Sequence, residues 1–190
     1  MTSVETEVKL RCSNQPATAQ RFLEQHGYRV IEPRTLEADQ LFDRPEADLR
    51  RAGQLLRLRH SGGRATVTYK GPKTEGRYKS REEIEFDVSD ANAFLQTLDR
   101  LGYTGGFRYE KQRTKFARPD EPGIVTIDET PIGVFMELEG PAEWIDQTAA
   151  CLGFSPADYI TASYASLYGD FRKANPNASE NMTFQVRDTP

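Results

Sequence analysis

Strict alternation of apolar and polar residues recurs along the chain and predicts β-strands. Residues 4–10 read Val-Glu-Thr-Glu-Val-Lys-Leu. An extended chain therefore places the valines and the leucine on one face, and Glu5, Glu7 and Lys9 on the other. The same pattern recurs at 56–59, 65–70, 81–88, 111–115, 125–128 and 136–139. The chain thus contains seven segments predicted as strands with one apolar and one polar, mostly charged face.

Helices are predicted between these strands, where apolar residues recur about every 3.6 positions and a glycine follows. The predicted helices cover 16–25, 90–101 and 142–152, and a fourth covers 162–172. Ser89 is the predicted N-cap of the second helix. Beyond them, residues 174–190 are polar and aperiodic. We therefore predict a single domain over 1–173, followed by a flexible C-terminal tail over 174–190.

Composition changes the interpretation of the charged faces. Hydrophobic residues make up 37% of the chain and charged residues 28%, so apolar material is scarce for a protein of this length. For any one strand, an outer face exposed to water would explain the alternation of apolar and polar residues. Across seven strands, however, the polar faces are mostly Glu, Asp, Arg and Lys, and like charges two positions apart repel each other. If the apolar faces pack under the helices, the charged faces turn inward and line a barrel or tunnel.

Charge is also segregated along the chain, although the net charge is only -4. Residues 55–81 contain eight Lys or Arg and one acid, whereas residues 119–171 contain ten acids and no Lys or Arg. We interpret the two blocks as a cationic wall and an anionic wall that face each other across a polyphosphate.

Several classes of protein are excluded or disfavoured. No apolar run approaches the roughly 18 residues of a membrane span, and the first residues lack an export signal, so we expect a cytoplasmic protein without a membrane partner. Two cysteines and two histidines cannot build a thiolate or imidazole metal cage, which leaves an oxygen-bound metal such as Mg²⁺ or Mn²⁺. A pI near 5.4 argues against a nucleic-acid partner. The chain has no glycine-rich phosphate loop of the GxxxxGK[ST] kind.

The charged faces supply the candidate site residues. Carboxylates for one or two divalent metal ions are Glu5, Glu7, Asp128, Glu137 and Glu139. Cations suited to linked phosphates are Lys9, Arg57, Arg59, Lys70, Lys111 and Arg113. We also expect Arg81, Glu83 and Glu85 to face the interior, with no role assigned to them.

These motifs, taken in order, resemble the CYTH or triphosphate tunnel metalloenzyme superfamily over about residues 3–172. The similar segments are Glu5-Thr-Glu-Val-Lys9, Gln40-Leu-Phe-Asp43, Leu56-Arg-Leu-Arg59, Thr68-Tyr-Lys-Gly-Pro72, Arg81-Glu-Glu-Ile-Glu85, Lys111-Gln-Arg113, Asp128 and Glu137-Leu-Glu139. The resemblance implies an α+β fold with a closed eight-stranded antiparallel barrel, a charged lumen and helices packed outside. It also implies dependence on a divalent metal, substrates that carry a triphosphate, and the metal and phosphate sides just described.

Three functions remain open. The sequence most resembles class IV adenylyl cyclases, which convert ATP to cyclic AMP and pyrophosphate. The alternative is a hydrolase of thiamine triphosphate or inorganic tripolyphosphate, in which Lys70 or Arg57 is the catalytic group that stabilises the leaving charge. A non-catalytic polyphosphate or nucleotide sensor is less favoured, because it would not need five carboxylates. Members of the family often pair, so a homodimer is possible.

Overall fold

A closed antiparallel β-barrel forms the body of the protein. The computed structural model describes residues 2–12, 15–74 and 76–184. Within them, eight strands are present: β1 (Thr2–Arg11), β2 (Arg29–Asp43), β3 (Leu55–Ser61), β4 (Arg64–Lys70), β5 (Lys79–Val88), β6 (Thr104–Ala117), β7 (Ile124–Thr130) and β8 (Gly133–Glu139). Around the barrel they follow the order β1-β5-β4-β3-β2-β6-β7-β8, and each neighbouring pair is antiparallel. The predicted fold class is confirmed.

Helices cover the outside of the barrel. Those in the described ranges are α1 (Pro16–Gln25), α2 (Asp48–Arg51), α3 (Ala91–Arg100), α4 (Ala142–Cys151) and α5 (Tyr164–Ala174), with a short 3₁₀ turn at Pro156–Asp158. Leu23 of α1 and Ile145 of α4 pack with Val8 and Leu138 of the barrel wall, and all four are fully buried. Leu98 of α3 packs on a second patch of the wall. The apolar faces of the strands therefore point outward, beneath the helices, as the alternation predicted.

The predicted N-cap of α3 is wrong by one residue. Asp90, not Ser89, has the extended backbone of a cap, and its carboxylate accepts a hydrogen bond from the backbone N–H of Ala93. The aspartate lies immediately before the first helical residue, Ala91, so its side chain reaches the third residue of the helix.

The longest strand, β2, escaped prediction because its alternation is interrupted. Its pairing with β6 shifts register between Val30 and Glu32, and again between Glu32 and Thr35. Each irregularity changes which side chains face inward, so the first half of β2 shows no period of two. Regular pairing resumes from Thr35 to Gln40.

One end of the barrel is filled by aromatic and apolar side chains. Tyr109 and Phe135 lie on the inner side of their strands and pack with Tyr164 and Tyr168 of α5 and with Met182. Tyr164 stands at the first position of α5, where Ser163 is the N-cap and accepts a hydrogen bond from Ser166 N–H. The start of α5 therefore lies against this end of the tunnel.

The segment after α5 differs from the predicted tail as far as the described residues extend. Met182 is fully buried and exchanges backbone hydrogen bonds with β6, accepting from Glu110 N and donating to Arg108 O. The segment is held here because the apolar side chain of Met182 packs into the aromatic cluster. Residues 185–190 of the predicted tail lie outside the described residues, and the single domain over 1–173 stays a prediction.

Candidate active site in the barrel lumen

The charged strand faces enclose a cavity of about 430 Å³, within the usual range of ligand pockets. All the predicted site residues except Asp128 line it: Glu5, Glu7, Lys9, Arg57, Arg59, Lys70, Lys111, Arg113, Glu137 and Glu139. Asp128 is fully buried behind Lys111 and Arg113. These ten residues lie on the five strands β1, β3, β4, β6 and β8, whose inward-facing side chains period-two alternation therefore identified.

Glu5 and Glu83 share Lys70. The Lys70 ammonium lies 2.6 Å from a Glu5 oxygen and 2.9 Å from a Glu83 oxygen. Burial and the nearby Glu7 oppose ionisation of Glu5, yet Lys70 and a hydrogen bond from Glu83 hold its pKa below the ordinary value. Burial and the neighbouring Glu5 raise the pKa of Glu83. Glu5 therefore has the lower pKa of the two carboxyls.

Deeper in the tunnel, Glu7 and Glu137 flank Lys9. The Lys9 ammonium lies 2.9 Å from Glu7 and 3.1 Å from Glu137, and Lys79 makes a further ion pair with Glu7. Burial and the charge of Lys9 lower the pKa of Lys79 to about 8. These groups form a compact cluster in which positive and negative charges alternate.

Arg113 connects Asp128 to Glu137. Its Nε and Nη2 atoms donate to the two oxygens of Asp128 at 2.6 and 2.5 Å, and Nη2 also pairs with Glu137. Lys111 donates to Asp128 at 2.9 Å, and the Tyr164 hydroxyl donates to the same oxygen at 2.8 Å. Both oxygens of Asp128 are therefore engaged within the protein.

Glu37 and Asp39 of β2 are lumenal acids that the sequence interpretation missed. Arg59 donates to Asp39 at 2.8 Å and lies 2.9 Å from Glu37, while Arg57 lies 3.4 Å from Asp39. Burial disfavours ionisation of Glu37, but Lys111 and other nearby cations hold its pKa well below the ordinary value. The Glu-x-Asp spacing at 37–39 is the signal that could have located them.

Glu139 stands near the end of the tunnel away from α5. Removal of water by the surrounding wall, together with the charges of Glu5 and Glu7, raises the pKa of Glu139 to about 7, although the residue as a whole remains exposed to solvent. The excess negative charge among Glu5, Glu7 and Glu139 is what a cation at this position would relieve.

The predicted separation into two facing walls is wrong. Glu5 pairs with Lys70, Glu7 with Lys9, and Asp128 and Glu137 with Arg113. Acids and cations interleave because neighbouring strands bring the two blocks side by side. Among the described residues, no three Asp, Glu, His or Cys side chains converge in a metal-binding group. The carboxylates are instead held by ammonium and guanidinium groups.

The donor chemistry of Glu5, Glu7, Glu137 and Glu139 nevertheless fits an oxygen-preferring divalent cation. Burial raises the pKa of Glu139, and the negative charges of Glu5 and Glu7 raise it further, an effect that a bound cation would oppose. Phosphates that draw the lysines and arginines away would free the carboxylates for a metal. Asp128 fits less well, because Arg113, Lys111 and Tyr164 already engage both of its oxygens.

The structure also shows where Arg81, Glu83, Glu85 and Asp43 lie. Glu83 and Glu85 line the cavity with Arg81, and Glu85 accepts a hydrogen bond from Thr68 at 2.8 Å. Asp43 accepts backbone hydrogen bonds from Arg44, Leu49 and Arg50. Asp43 therefore fixes the start of α2.

The closed antiparallel barrel and its charged lumen place this protein in the class of tunnel proteins. The family model of the CYTH domain matches residues 3–155, and the chain belongs to this family, whose triphosphate tunnel metalloenzymes depend on metal in general. None of the described helices has both the length and the apolar character needed to span a membrane.

Known proteins of similar sequence or fold cover nearly the same length. The chain is 30% identical to "Putative adenylate cyclase MJ0240" of Methanocaldococcus jannaschii, over 87% of this chain and 99% of that protein. It is similar to the structure of a "putative adenylate cyclase" from Vibrio parahaemolyticus, with a TM-score of 0.75, 22% identity, and coverage of 88% of this chain and 98% of the other. A Hippeastrum protein, "Putative adenylyl cyclase HpAC1", has a TM-score of 0.61 and 14% identity, covering 92% of this chain and 96% of its own.

Proposed function

We propose that this protein is a divalent-metal-dependent enzyme that acts on the triphosphate of a small molecule inside the tunnel, and that its reaction converts ATP to cyclic AMP and pyrophosphate. One observation carries the proposal: one cavity is lined by both carboxylates and cations, which lie on the inner faces of strands whose outer faces form the core. The name of the Methanocaldococcus jannaschii relative supports the cyclase reaction.

The cations of the lumen bind the phosphates in this proposal. Arg57 and Arg59 present guanidinium groups suited to bidentate contacts with phosphate oxygens, and Lys70 presents a point charge. Lys9, Lys111 and Arg113 extend the positive surface toward α5. Each of these cations is paired with a carboxylate in the structure. A triphosphate therefore replaces the carboxylates as their partner.

Glu5, Glu7, Glu137 and Glu139 would hold the metal, with Asp128 as the fifth candidate. When bound, a Mg²⁺ or Mn²⁺ ion supplies charge neutralisation and polarises phosphate oxygens. The chain itself aligns the triphosphate. Lys70 and Arg57 are the proposed catalytic groups, since both reach into the cavity and can stabilise negative charge on the leaving group.

For ATP, the oxygen of the ribose 3′-hydroxyl attacks the α-phosphorus, and the hydroxyl proton passes to water. The bond from that phosphorus to the oxygen bridging the α- and β-phosphates breaks, and pyrophosphate carries away the electron pair. Leu41, Leu55 and Tyr109 give the cavity an apolar wall, against which a nucleobase can pack. An inorganic tripolyphosphate would leave this wall without a partner.

Hydrolysis of a triphosphate is the second candidate, with water attacking the terminal phosphorus. The Hippeastrum protein of similar fold is described as having a dominant triphosphatase activity, and its tunnel architecture is shared by this chain. Thiamine triphosphate and tripolyphosphate are the substrates to compare with ATP.

A product analysis tests the proposal. The purified protein is incubated with ATP, thiamine triphosphate or tripolyphosphate, with Mg²⁺ or Mn²⁺ and with excess EDTA as the control, and products are separated by chromatography. Cyclic AMP with an equal amount of pyrophosphate, lost in EDTA, is the expected result. Metal-dependent orthophosphate without cyclic AMP would replace the cyclase by the hydrolase. Tight binding without turnover would instead favour a sensor and overturn both.

A further inference from the structure

Arg81 differs from the other cations of the tunnel. Every other Lys or Arg that lines the cavity in the described part of the chain has a carboxylate oxygen within 4.0 Å: Lys9, Arg57, Arg59, Lys70, Lys79, Lys111, Arg113 and Lys115. Arg81 is only 7% exposed, and its Nε atom has no hydrogen-bond partner. Among the described residues it forms no ion pair.

Arg81 is surrounded by acids that are engaged elsewhere. It lies opposite Glu5 in the pairing of β1 with β5. Glu5 and Glu83, however, are held by Lys70, and Glu7 is held by Lys9 and Lys79. The competing lysines leave the guanidinium without a direct carboxylate partner.

An arginine in this state costs stability. Burial lowers the pKa of Arg81, and the attraction of Glu5, Glu7 and Glu83 does not offset that effect. A buried charge without a hydrogen-bonded partner is unfavourable, and replacement by an apolar residue of similar volume is often neutral or stabilising. A group of this kind within a cavity therefore has its partner in a ligand rather than in the fold.

We propose that Arg81 is a phosphate-binding residue and the first anchor for an anion that enters the tunnel. This inference rests on the proposed function, because the anion is a phosphate group of the triphosphate. A guanidinium presents several N–H donors in a planar fork that matches phosphate oxygens. A phosphate can bind Arg81 without first displacing a carboxylate, whereas binding at Lys70 or Arg57 must break an existing ion pair.

The anchor has a consequence for metal binding. A phosphate held by Arg81 lies beside Lys70, which can then exchange Glu5 for a phosphate oxygen. The Glu5 carboxylate becomes available as a metal ligand at that moment. Anion binding at Arg81 is therefore expected without metal, while metal binding is strengthened by the anion.

Calorimetric titration of metal-free protein with tripolyphosphate in excess EDTA tests the assignment. We expect Arg81→Met to weaken binding at least about tenfold, as loss of one charged hydrogen-bonding group does. Arg81→Lys keeps the charge but not the fork and should lose less affinity. Arg77→Met is the control: Arg77 is exposed and pairs with Asp146 outside the lumen, so its affinity should stay within about twofold of the wild type.

Thermal unfolding without ligand separates this role from a structural one. Removal of an uncompensated charge should leave the Tm of Arg81→Met unchanged or raised, whereas a structural arginine would lower it. Equal tripolyphosphate affinity of the wild type and Arg81→Met would overturn the inference and leave the proposed function standing. A lower Tm of Arg81→Met, together with wild-type affinity of Arg81→Lys for tripolyphosphate, would also overturn it. If the wild type binds tripolyphosphate neither with nor without Mg²⁺, the proposed function and this inference both fail.

Discussion

The inner and outer faces of β1 and β8 are both buried, but their side chains are stabilised by different interactions. On the outer face, Val8 and Leu138 are 0% exposed and pack in the cluster that includes residues of α1 and α4. On the inner face, Glu7 and Glu137 are each 5% exposed and lie in ion pairs with Lys9.

The difference shows that burial alone does not define the core of this protein. Apolar burial contributes directly to folding, whereas buried ion pairs barely recover the cost of removing their charges from water. The outer face therefore stabilises the barrel. The inner face is retained for what it binds, so mutation of its candidate metal ligands should mainly lower turnover, whereas mutation of the outer face should mainly lower stability.

The largest expected effect is on the inner face. Glu5→Gln should lower metal-dependent turnover about 100-fold or more, because it removes a candidate metal ligand and its charge. Its Tm should change little, since Lys70 keeps Glu83 as a partner. Turnover under saturating substrate and a thermal melt measure the two quantities.

Glu82→Gln is the matched control for Glu5→Gln, because Glu82 is exposed and alternates with the lumenal residues of β5. It should retain full turnover. Glu137→Gln should also lose turnover, with some loss of stability because Lys9 and Arg113 lose a partner. Wild-type turnover in both Glu5→Gln and Glu137→Gln would show that the metal site is placed wrongly.

The next effect is on the outer face. Leu138→Ala should lower the free energy of unfolding by about 2–5 kcal/mol, because it leaves a cavity in the cluster that holds α4 on the barrel. The folded variant should keep its turnover number. Urea denaturation followed by an assay well below the midpoint measures both. Leu36→Ala, at a position 42% exposed, should change stability by less than about 0.5 kcal/mol. If the two variants lost equal stability, the assignment of the outer core would be wrong.

The smallest effect is the pH response of an inner ion pair. The cations around Glu37, foremost Lys111, hold the pKa of this buried carboxyl well below the ordinary 4.5. A depressed pKa stabilises the folded state above about pH 4.5, and this stability is lost as the pH falls through that value and below it. Glu37→Gln should therefore be about 1–3 kcal/mol less stable than the wild type at pH 7, and the difference should shrink toward pH 3.

Thermal melts between pH 3 and pH 7 measure this response. Glu32→Gln is the control on the same strand, since Glu32 is exposed and pairs with Lys115 near the surface. It should follow the wild-type curve. A constant stability difference between Glu37→Gln and the wild type over the whole range would contradict the ion-pair account.

Period-two alternation carried most of the site prediction. It placed Glu5, Lys70 and Glu137 on inward faces because a regular strand cannot place successive residues on the same side. Where regularity fails, the prediction fails as well. Glu37 and Asp39 lie in the regularly paired stretch Thr35–Gln40 and face inward, but polar Gln40 and apolar Leu41 reverse the order of the alternation directly after them.

Local chemistry also left alternatives that the sequence could not resolve. Ser89 and Asp90 are both good N-cap residues, and only the backbone conformation at Asp90 selects one of them. Met182 lies in a polar segment, and its burial depends on an aromatic cluster assembled from distant parts of the chain. Neither the choice of Asp90 as the N-cap nor the burial of Met182 can be deduced from a short stretch of the sequence.

The sequence by itself determined the two-faced strands, the outer helices and the identity of most inward-facing charges, because these follow from periodicity within single elements. The pairing of those charges was decided only by the tertiary structure. Which acid holds which cation depends on strand order and register, which bring Glu5 beside Lys70 and Asp128 beside Arg113. Tertiary structure also left Arg81 without a partner within the described protein, because competing lysines occupy its nearest acids.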